Sequence, residues 1–197
     1  MALYADRPSG EARPTDDVDI LVELAHHREY AAIEEKLRAK GFANDIESGV
    51  ICRYRVRGIV VDVMPTEANA IGFSNPWYKQ GFATAVRCSL DENHSVRIFQ
   101  PDYFLASKLE AFNSRGGGDG RWSSDFEDIV YVLNNRTTIW DELQAAKGDV
   151  SVYLAGQFRA LLENDYIEEW IAVHLDYSEQ ARIRTILGAL QVFTQQQ

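Results

Sequence analysis

The order of β-type and helix-type segments constrains the fold of this chain more than any other feature. Segments rich in Val and Ile, or alternating with a two-residue period, lie before residue 100, and apolar residues recur at helical spacing beyond it. With 46% hydrophobic residues the chain has ample material for a core. This order predicts an α+β fold, with a small mixed sheet in a head at residues 1–100 and an α-helical bundle at 101–197.

The charge and apolar content limit the classes of partner. A net charge of −10 makes the chain a poor general nucleic-acid binder, because phosphate contacts require Lys and Arg. The sequence has no apolar run of membrane-span length and no signal peptide, so we expect a soluble cytoplasmic protein that does not bind a membrane.

Asp17 and Asp19 are separated by one residue in the first predicted strand. Because side chains alternate across a strand, both carboxylates should share one face, with Val18 and Ile20 facing the core. Two carboxylates this close repel each other unless a cation lies between them, and paired oxygen ligands suit Mg²⁺. The pattern indicates a phosphate-handling magnesium site; the simpler alternative is two acidic residues at the end of a strand.

A third carboxylate, Asp62, lies in the middle of the Val- and Ile-rich run 59–64. An Asp in such a run needs a partner, and a metal shared with Asp17 and Asp19 would supply one. Three carboxylates on neighbouring strands can hold two metal ions for in-line nucleotidyl transfer.

The segment before this run alternates, with Arg53, Arg55 and Arg57 on one face, and Gly58 then permits a tight turn. This pattern predicts an antiparallel hairpin. Two interpretations of the three arginines stay open: a solvated strand face, or contacts with the phosphates of a nucleotide or with an acceptor.

Lys108 lies among apolar positions of a predicted helix, and Arg115 follows on the same stripe. A lysine in that setting suggests an ammonium that is buried or faces a cleft. The next helix is predicted to begin at Ser123 or Ser124, with Ser124 and Glu127 forming a capping box.

Four blocks of the sequence resemble one known family. They are Thr15–Ile20, Val60–Met64, Phe104–Phe112 and Ser124–Val130. Together they resemble the nucleotidyltransferase AbiEii/AbiGii toxin family, which belongs to the DNA polymerase β-like nucleotidyltransferase superfamily. Each block alone is a weak signal, whereas four in this order are fairly specific.

The resemblance implies a nucleotidyltransferase head with Asp17 and Asp19 as metal ligands and Asp62 as the third carboxylate, which can also help to deprotonate an acceptor hydroxyl. The implied reaction is the Mg²⁺-dependent transfer of a nucleoside monophosphate from an NTP to that hydroxyl, with release of pyrophosphate. Two magnesium sites are possible.

The resemblance also implies nucleotide-binding residues outside the aspartate cluster. Lys108 matches a lysine thought to meet the nucleotide phosphates, and Arg115 would assist it. Asp125 and Asp128 match the acidic positions of the following block, and Thr15 precedes the aspartates as in many members. A structural salt bridge between Asp128 and Lys108 is an equally weighted alternative.

By family, the acceptor is a tRNA 3′ end or a protein in a toxin–antitoxin system, with a cognate antitoxin as partner. Two other interpretations stay open. The acidic surface favours a cationic small-molecule acceptor, as in an antibiotic nucleotidyltransferase acting on an aminoglycoside-like compound. The second interpretation is a non-catalytic partner protein that keeps the fold.

One departure from the superfamily pattern supports the non-catalytic alternative. Members carry a Gly-Gly or Gly-Ser pair upstream of the aspartates, and no such pair precedes Asp17. The opening residues Met1–Tyr4 look like those that normally follow the pair, so we expect the sequence to start just after this motif. If the motif is truly missing, nucleotide binding should be weak or lost.

Overall fold

A computed structural model describes residues 2–7, 12–15, 17–24, 27–68, 71–72, 74–115 and 117–196. The chain divides into two compact units. We call Arg13–Thr84 the sheet unit, and Met1–Ala12 together with Ala85–Gln197 the helical unit. This division differs from the one predicted at residue 100, because the segment that starts at Ala85 belongs with the helices.

The sheet unit contains a four-stranded mixed sheet and two helices. Its elements are β1 (Asp17–Val22), α1 (His27–Ala39), β2 (Ala43–Asn44), β3 (Arg53–Val56), β4 (Ile59–Pro65) and α2 (Tyr78–Thr84). The strand order is β1-β4-β3-β2, with β1 parallel to β4 and the other pairs antiparallel.

The β3–β4 hairpin is confirmed, and its turn fixes its register. Arg57 and Gly58 have φ angles of 51° and 84°, the left-handed values that a two-residue hairpin turn requires. Val56 therefore pairs with Ile59, and Arg53 pairs with Asp62 three positions further from the turn.

One face of the sheet carries the apolar core of this unit. Tyr54, Val61 and Val63 are buried there, with Leu37 of α1 packed against them. The prediction that Val18 and Ile20 face the core is wrong, since they are 49% and 41% exposed. Both side chains do lie on the face opposite the aspartates. They are exposed because β1 is an edge strand of the described sheet, and the buried positions of that face lie on β3 and β4.

The helical unit contains a two-stranded antiparallel sheet followed by six helices within the described residues. These elements are β5 (Val86–Ser89), β6 (Ser95–Ile98), α3 (Pro101–Arg115), α4 (Ser124–Asn135), α5 (Ile139–Ala145), α6 (Asp149–Leu162), α7 (Ile167–Ala172) and α8 (Arg182–Gln196). Leu105, Leu109, Phe126, Leu154 and Phe158 are among its most deeply buried side chains.

Local capping explains where α4 begins. The hydroxyl of Ser123 accepts a hydrogen bond from the backbone N–H of Phe126 at 3.3 Å, so Ser123 is the N-cap and Ser124 is the first helical residue. The prediction of Ser123 as a possible cap is confirmed, whereas the capping box of Ser124 and Glu127 is wrong, because Ser124 is already helical.

The α+β class and the small mixed sheet predicted from the sequence are confirmed. Among the described residues, no helix is both long enough and apolar enough to cross a membrane.

Candidate metal centre

Three neighbouring strands bring charged residues into one row of the sheet. Asp19 on β1 lies opposite Asp62 on β4, and Asp62 lies opposite Arg53 on β3. Residues directly opposite in a sheet project to the same face, and Asp17 joins that face because it lies two positions before Asp19. This face of the sheet, opposite the apolar core, therefore carries three carboxylates and one guanidinium.

The three carboxylates converge closely enough to share an ion. One oxygen from each of Asp17, Asp19 and Asp62 lies within 4.8 Å of the others. Asp62 is buried, with only 8% of its surface exposed, whereas the side chain of Asp17 is 42% exposed. The cluster thus has a buried end at Asp62 and an end open to solvent at Asp17.

Asp62 has a protein partner, Arg53, that was not predicted from the sequence. Its two carboxylate oxygens accept hydrogen bonds from Arg53, at 2.8 Å from Nε and 2.7 Å from Nη2. The same Nη2 lies 3.5 Å from Oδ2 of Asp17. Hydrogen bonding to Asp62 raises the pKa of Arg53 above its usual range, although burial acts in the opposite direction. Asp62 therefore has the partner that its burial requires, and in this structure Arg53 supplies it.

The donor set still suits a hard divalent cation. Three carboxylates that converge from two strands can bind a metal ion, and oxygen ligands are those that Mg²⁺ prefers. The arrangement differs from a simple acidic cluster because the Arg53 guanidinium competes for the buried carboxylate.

The other predicted site residues divide between the two units. Thr15 is exposed in the sheet unit, two positions before Asp17. Lys108 and Arg115 on α3, and Asp125 and Asp128 on α4, belong to the helical unit.

The four residues of the helical unit bind one another. Nζ of Lys108 lies 3.1 Å from Oδ1 of Asp125 and 2.7 Å from Oδ2 of Asp128. Arg115 donates from Nε to Oδ2 of Asp125 at 2.9 Å and from Nη2 to Oδ1 at 3.1 Å. The salt bridge between Lys108 and Asp128, one of the two interpretations from the sequence, is therefore present between the packed helices.

Burial and pairing act against each other in this cluster. Burial would lower the pKa of Lys108, but the charges of Asp128 and Asp125 raise it above its usual value. Burial would likewise raise the pKa of Asp125, but hydrogen bonds from Arg115 and the charge of Lys108 lower it below its usual range. Lys108 and Asp125 are thus stabilised in their charged forms, as expected for a pair that joins two helices.

Comparison of the chain with protein-family models, with curated proteins and with solved structures gave no match. The resemblance to the nucleotidyltransferase family stays a prediction from the four sequence blocks.

Proposed function

We propose that this protein is a Mg²⁺-dependent nucleotidyltransferase. The observation that carries the proposal is the convergence of Asp17, Asp19 and Asp62, with one oxygen of each within 4.8 Å of the others. The order of the four sequence blocks supports the same conclusion, with a nucleotidyltransferase head and a helical bundle beyond it.

In the proposed reaction, the acceptor hydroxyl oxygen attacks the α-phosphorus of an NTP. The bond from that phosphorus to its bridging oxygen breaks, pyrophosphate leaves with the electron pair, and the hydroxyl proton passes to a base. Bound Mg²⁺ would withdraw charge from the phosphates. Asp17, Asp19 and Asp62 would hold the cation, and the exposed side of the cluster at Asp17 would admit the triphosphate.

We do not include Lys108 and Arg115 among the proposed phosphate contacts. Lys108 pairs with both Asp125 and Asp128, and Arg115 forms two hydrogen bonds with Asp125. Their charges are thus engaged within the helical unit, and we assign all four residues a stabilising role there.

The test is transfer of label from α-³²P-labelled NTPs in the presence of Mg²⁺. We expect Asp19→Asn to lower transfer by roughly a hundredfold or more, the scale seen when one electrostatic stabiliser is removed. Asp19 is exposed, so the variant should keep the far-ultraviolet circular dichroism of the wild type. Glu47→Gln removes an exposed carboxyl of the same unit outside the cluster and should leave transfer unchanged. Equal transfer by Asp19→Asn and the wild type would refute the proposal.

The net charge of −10 favours a second candidate for the acceptor. An acidic protein repels the phosphates of tRNA and attracts cationic compounds. The same assay with total tRNA in one arm and an aminoglycoside in the other distinguishes a tRNA-modifying toxin from an antibiotic-modifying enzyme. We expect a tRNA-modifying toxin to label only the first arm and an antibiotic-modifying enzyme only the second.

A further inference from the structure

The position of Arg53 resembles that of a cation shared between carboxylates. Its Nη2 lies 2.7 Å from Oδ2 of Asp62 and 3.5 Å from Oδ2 of Asp17, and therefore lies between two of the three groups that would hold a metal. Its Nε contacts the other oxygen of Asp62 at 2.8 Å. A bidentate pair of this kind is among the stronger interactions a carboxylate can make.

A divalent cation and Arg53 cannot both use Asp62 in this arrangement without strong repulsion. A cation ligated by Asp62 would lie close to the oxygens that now accept hydrogen bonds from the guanidinium. A divalent ion brings two charges to three carboxylates, whereas Arg53 brings one. Binding of the ion should therefore displace the guanidinium.

The structure provides space for the displaced side chain. A cavity of about 240 Å³ lies beside Arg53, lined by residues of the 44–51 segment. Asp45 lines this cavity, pairs with Arg55 at 2.9 Å and adds an attractive charge for Arg53. The Arg53 side chain is 27% exposed, so neighbouring side chains do not enclose it fully.

We propose that Arg53 is an exchangeable countercharge, which holds Asp62 in the cation-free protein and leaves it when a divalent cation binds. Arg53 is thus a positioning residue that sets the cation affinity of the cluster. This role rests on the proposed cation site, but its test does not require transferase activity.

The test is a titration with Mn²⁺, followed by the electron paramagnetic resonance signal of the free ion. Arg53→Gln removes the competing charge and should tighten Mn²⁺ binding roughly tenfold, on the scale of one hydrogen-bonded charge pair. The matched control is Arg28→Gln, because Arg28 is an exposed arginine of α1, the helix that packs on the apolar face of the same sheet. The control should bind Mn²⁺ as the wild type does.

Thermal unfolding gives a second readout that also reports on folding. Arg53→Gln leaves the buried Asp62 without its guanidinium partner, so this variant should melt below the wild type without metal. Saturating Mn²⁺ should raise its Tm more than that of the wild type, because tighter binding stabilises the folded state further. Arg53→Lys keeps one charge without the fork geometry and should show an intermediate Mn²⁺ affinity, which provides a test if the Gln variant does not fold.

The outcomes separate this proposal from the proposed function. Wild-type binding of Mn²⁺ together with equal or weaker binding by Arg53→Gln would overturn the exchange and leave the transferase proposal intact. Tighter binding by Arg53→Gln without any label transfer in the earlier assay would support the exchange and count against the transferase. Absence of Mn²⁺ binding in the wild type and in both Arg53 variants would overturn both.

Discussion

At the scale of single residues, a largely buried charge cluster joins α3 to α4 in the helical unit. Lys108 and Arg115 on α3 face Asp125 and Asp128 on α4, and the side chains of both aspartates are only 5% exposed. Removal of one partner would leave other charges buried and incompletely paired, which costs more than an exposed pair contributes.

Asp125 should make the stability of the protein depend on acid pH. Its pKa is lowered in the folded state, against burial, by Arg115 and Lys108. A carboxyl with a lowered folded pKa stabilises the fold above its unfolded pKa, near 4, and this contribution is lost as the pH falls through the folded pKa. We expect Asp125→Asn to lower the free energy of unfolding by roughly 1–3 kcal/mol at pH 7, and the difference from the wild type to shrink between about pH 5 and pH 2.

Urea denaturation at a series of pH values measures this difference. Asp165→Asn is the control, because Asp165 is an exposed carboxyl in a loop of the same unit. A difference between Asp125→Asn and the wild type that stays constant down to pH 2 would show that Asp125 does not titrate as argued.

The partner of Asp62 could have been predicted from the sequence. A two-residue turn at Arg57 and Gly58 pairs each residue before it with one after it, and counting three steps outward places Arg53 opposite Asp62. The exposure of Val18 was not predictable in the same way, because alternation identifies a face of a strand but does not show whether another element covers it.

At the scale of elements, the contact between a short turn and α7 depends on one glycine. Gly120 begins the 3₁₀ turn Gly120–Trp122, and it is packed against the indole of Trp170. A Cβ at Gly120 would lie 2.6–2.9 Å from three ring atoms of Trp170. The indole also packs edge-on against Phe112 and Phe126, with ring centroids 5.8 and 5.6 Å away, so it has little freedom to move.

We expect Gly120→Ala to destabilise the protein by roughly 1–3 kcal/mol, the usual cost of overpacking a core. The matched control is Gly156→Ala, since Gly156 is in the interior of α6 and a Cβ there meets nothing within 4 Å. That change should stabilise the protein by about 0.5–1 kcal/mol, because alanine loses less backbone entropy than glycine in a helix. Chemical denaturation of the two variants measures both effects, and equal stabilities would contradict the close packing of Gly120.

Helical periodicity identifies a long amphipathic helix better than a short one with weak local propensity. Tyr30, Ile33 and Leu37 recur at helical spacing in α1, and these side chains pack on the core clusters of the sheet unit. The helix α2 (Tyr78–Thr84) is hard to identify from the sequence. It has two turns, includes Gly81 and ends in a β-branched residue, so its local propensity is weak.

At the scale of the whole molecule, the helical unit is discontinuous in sequence. Residues before Arg13 belong to it together with residues after Thr84. Tyr4 is 5% exposed, its ring centroid lies 4.2 Å from that of Phe104, and its hydroxyl donates to the carbonyl of Phe99 at 2.9 Å. Local periodicity cannot predict a contact across 95 positions, so the sequence placed this segment in the head.

Tyr4 should therefore contribute to the stability of helices that begin almost a hundred residues later. We expect Tyr4→Ala to lower the free energy of unfolding by roughly 3 kcal/mol, because it leaves a cavity against Phe104. Tyr4→Phe keeps the ring and removes only the hydrogen bond to Phe99, at a cost of about 1 kcal/mol. Leu3→Ala is the control, since Leu3 is 42% exposed and its loss should cost less than roughly 0.5 kcal/mol.

Denaturant unfolding followed by tryptophan fluorescence suits this test, because Trp122, Trp140 and Trp170 all lie in the helical unit. The order of stabilities should be wild type and Leu3→Ala, then Tyr4→Phe, then Tyr4→Ala. If Tyr4→Ala unfolds at the same denaturant concentration as Leu3→Ala, the first residues of the chain do not belong to the helical unit. The predicted order would instead show that a segment before the sheet unit in the sequence stabilises the helices that follow that unit.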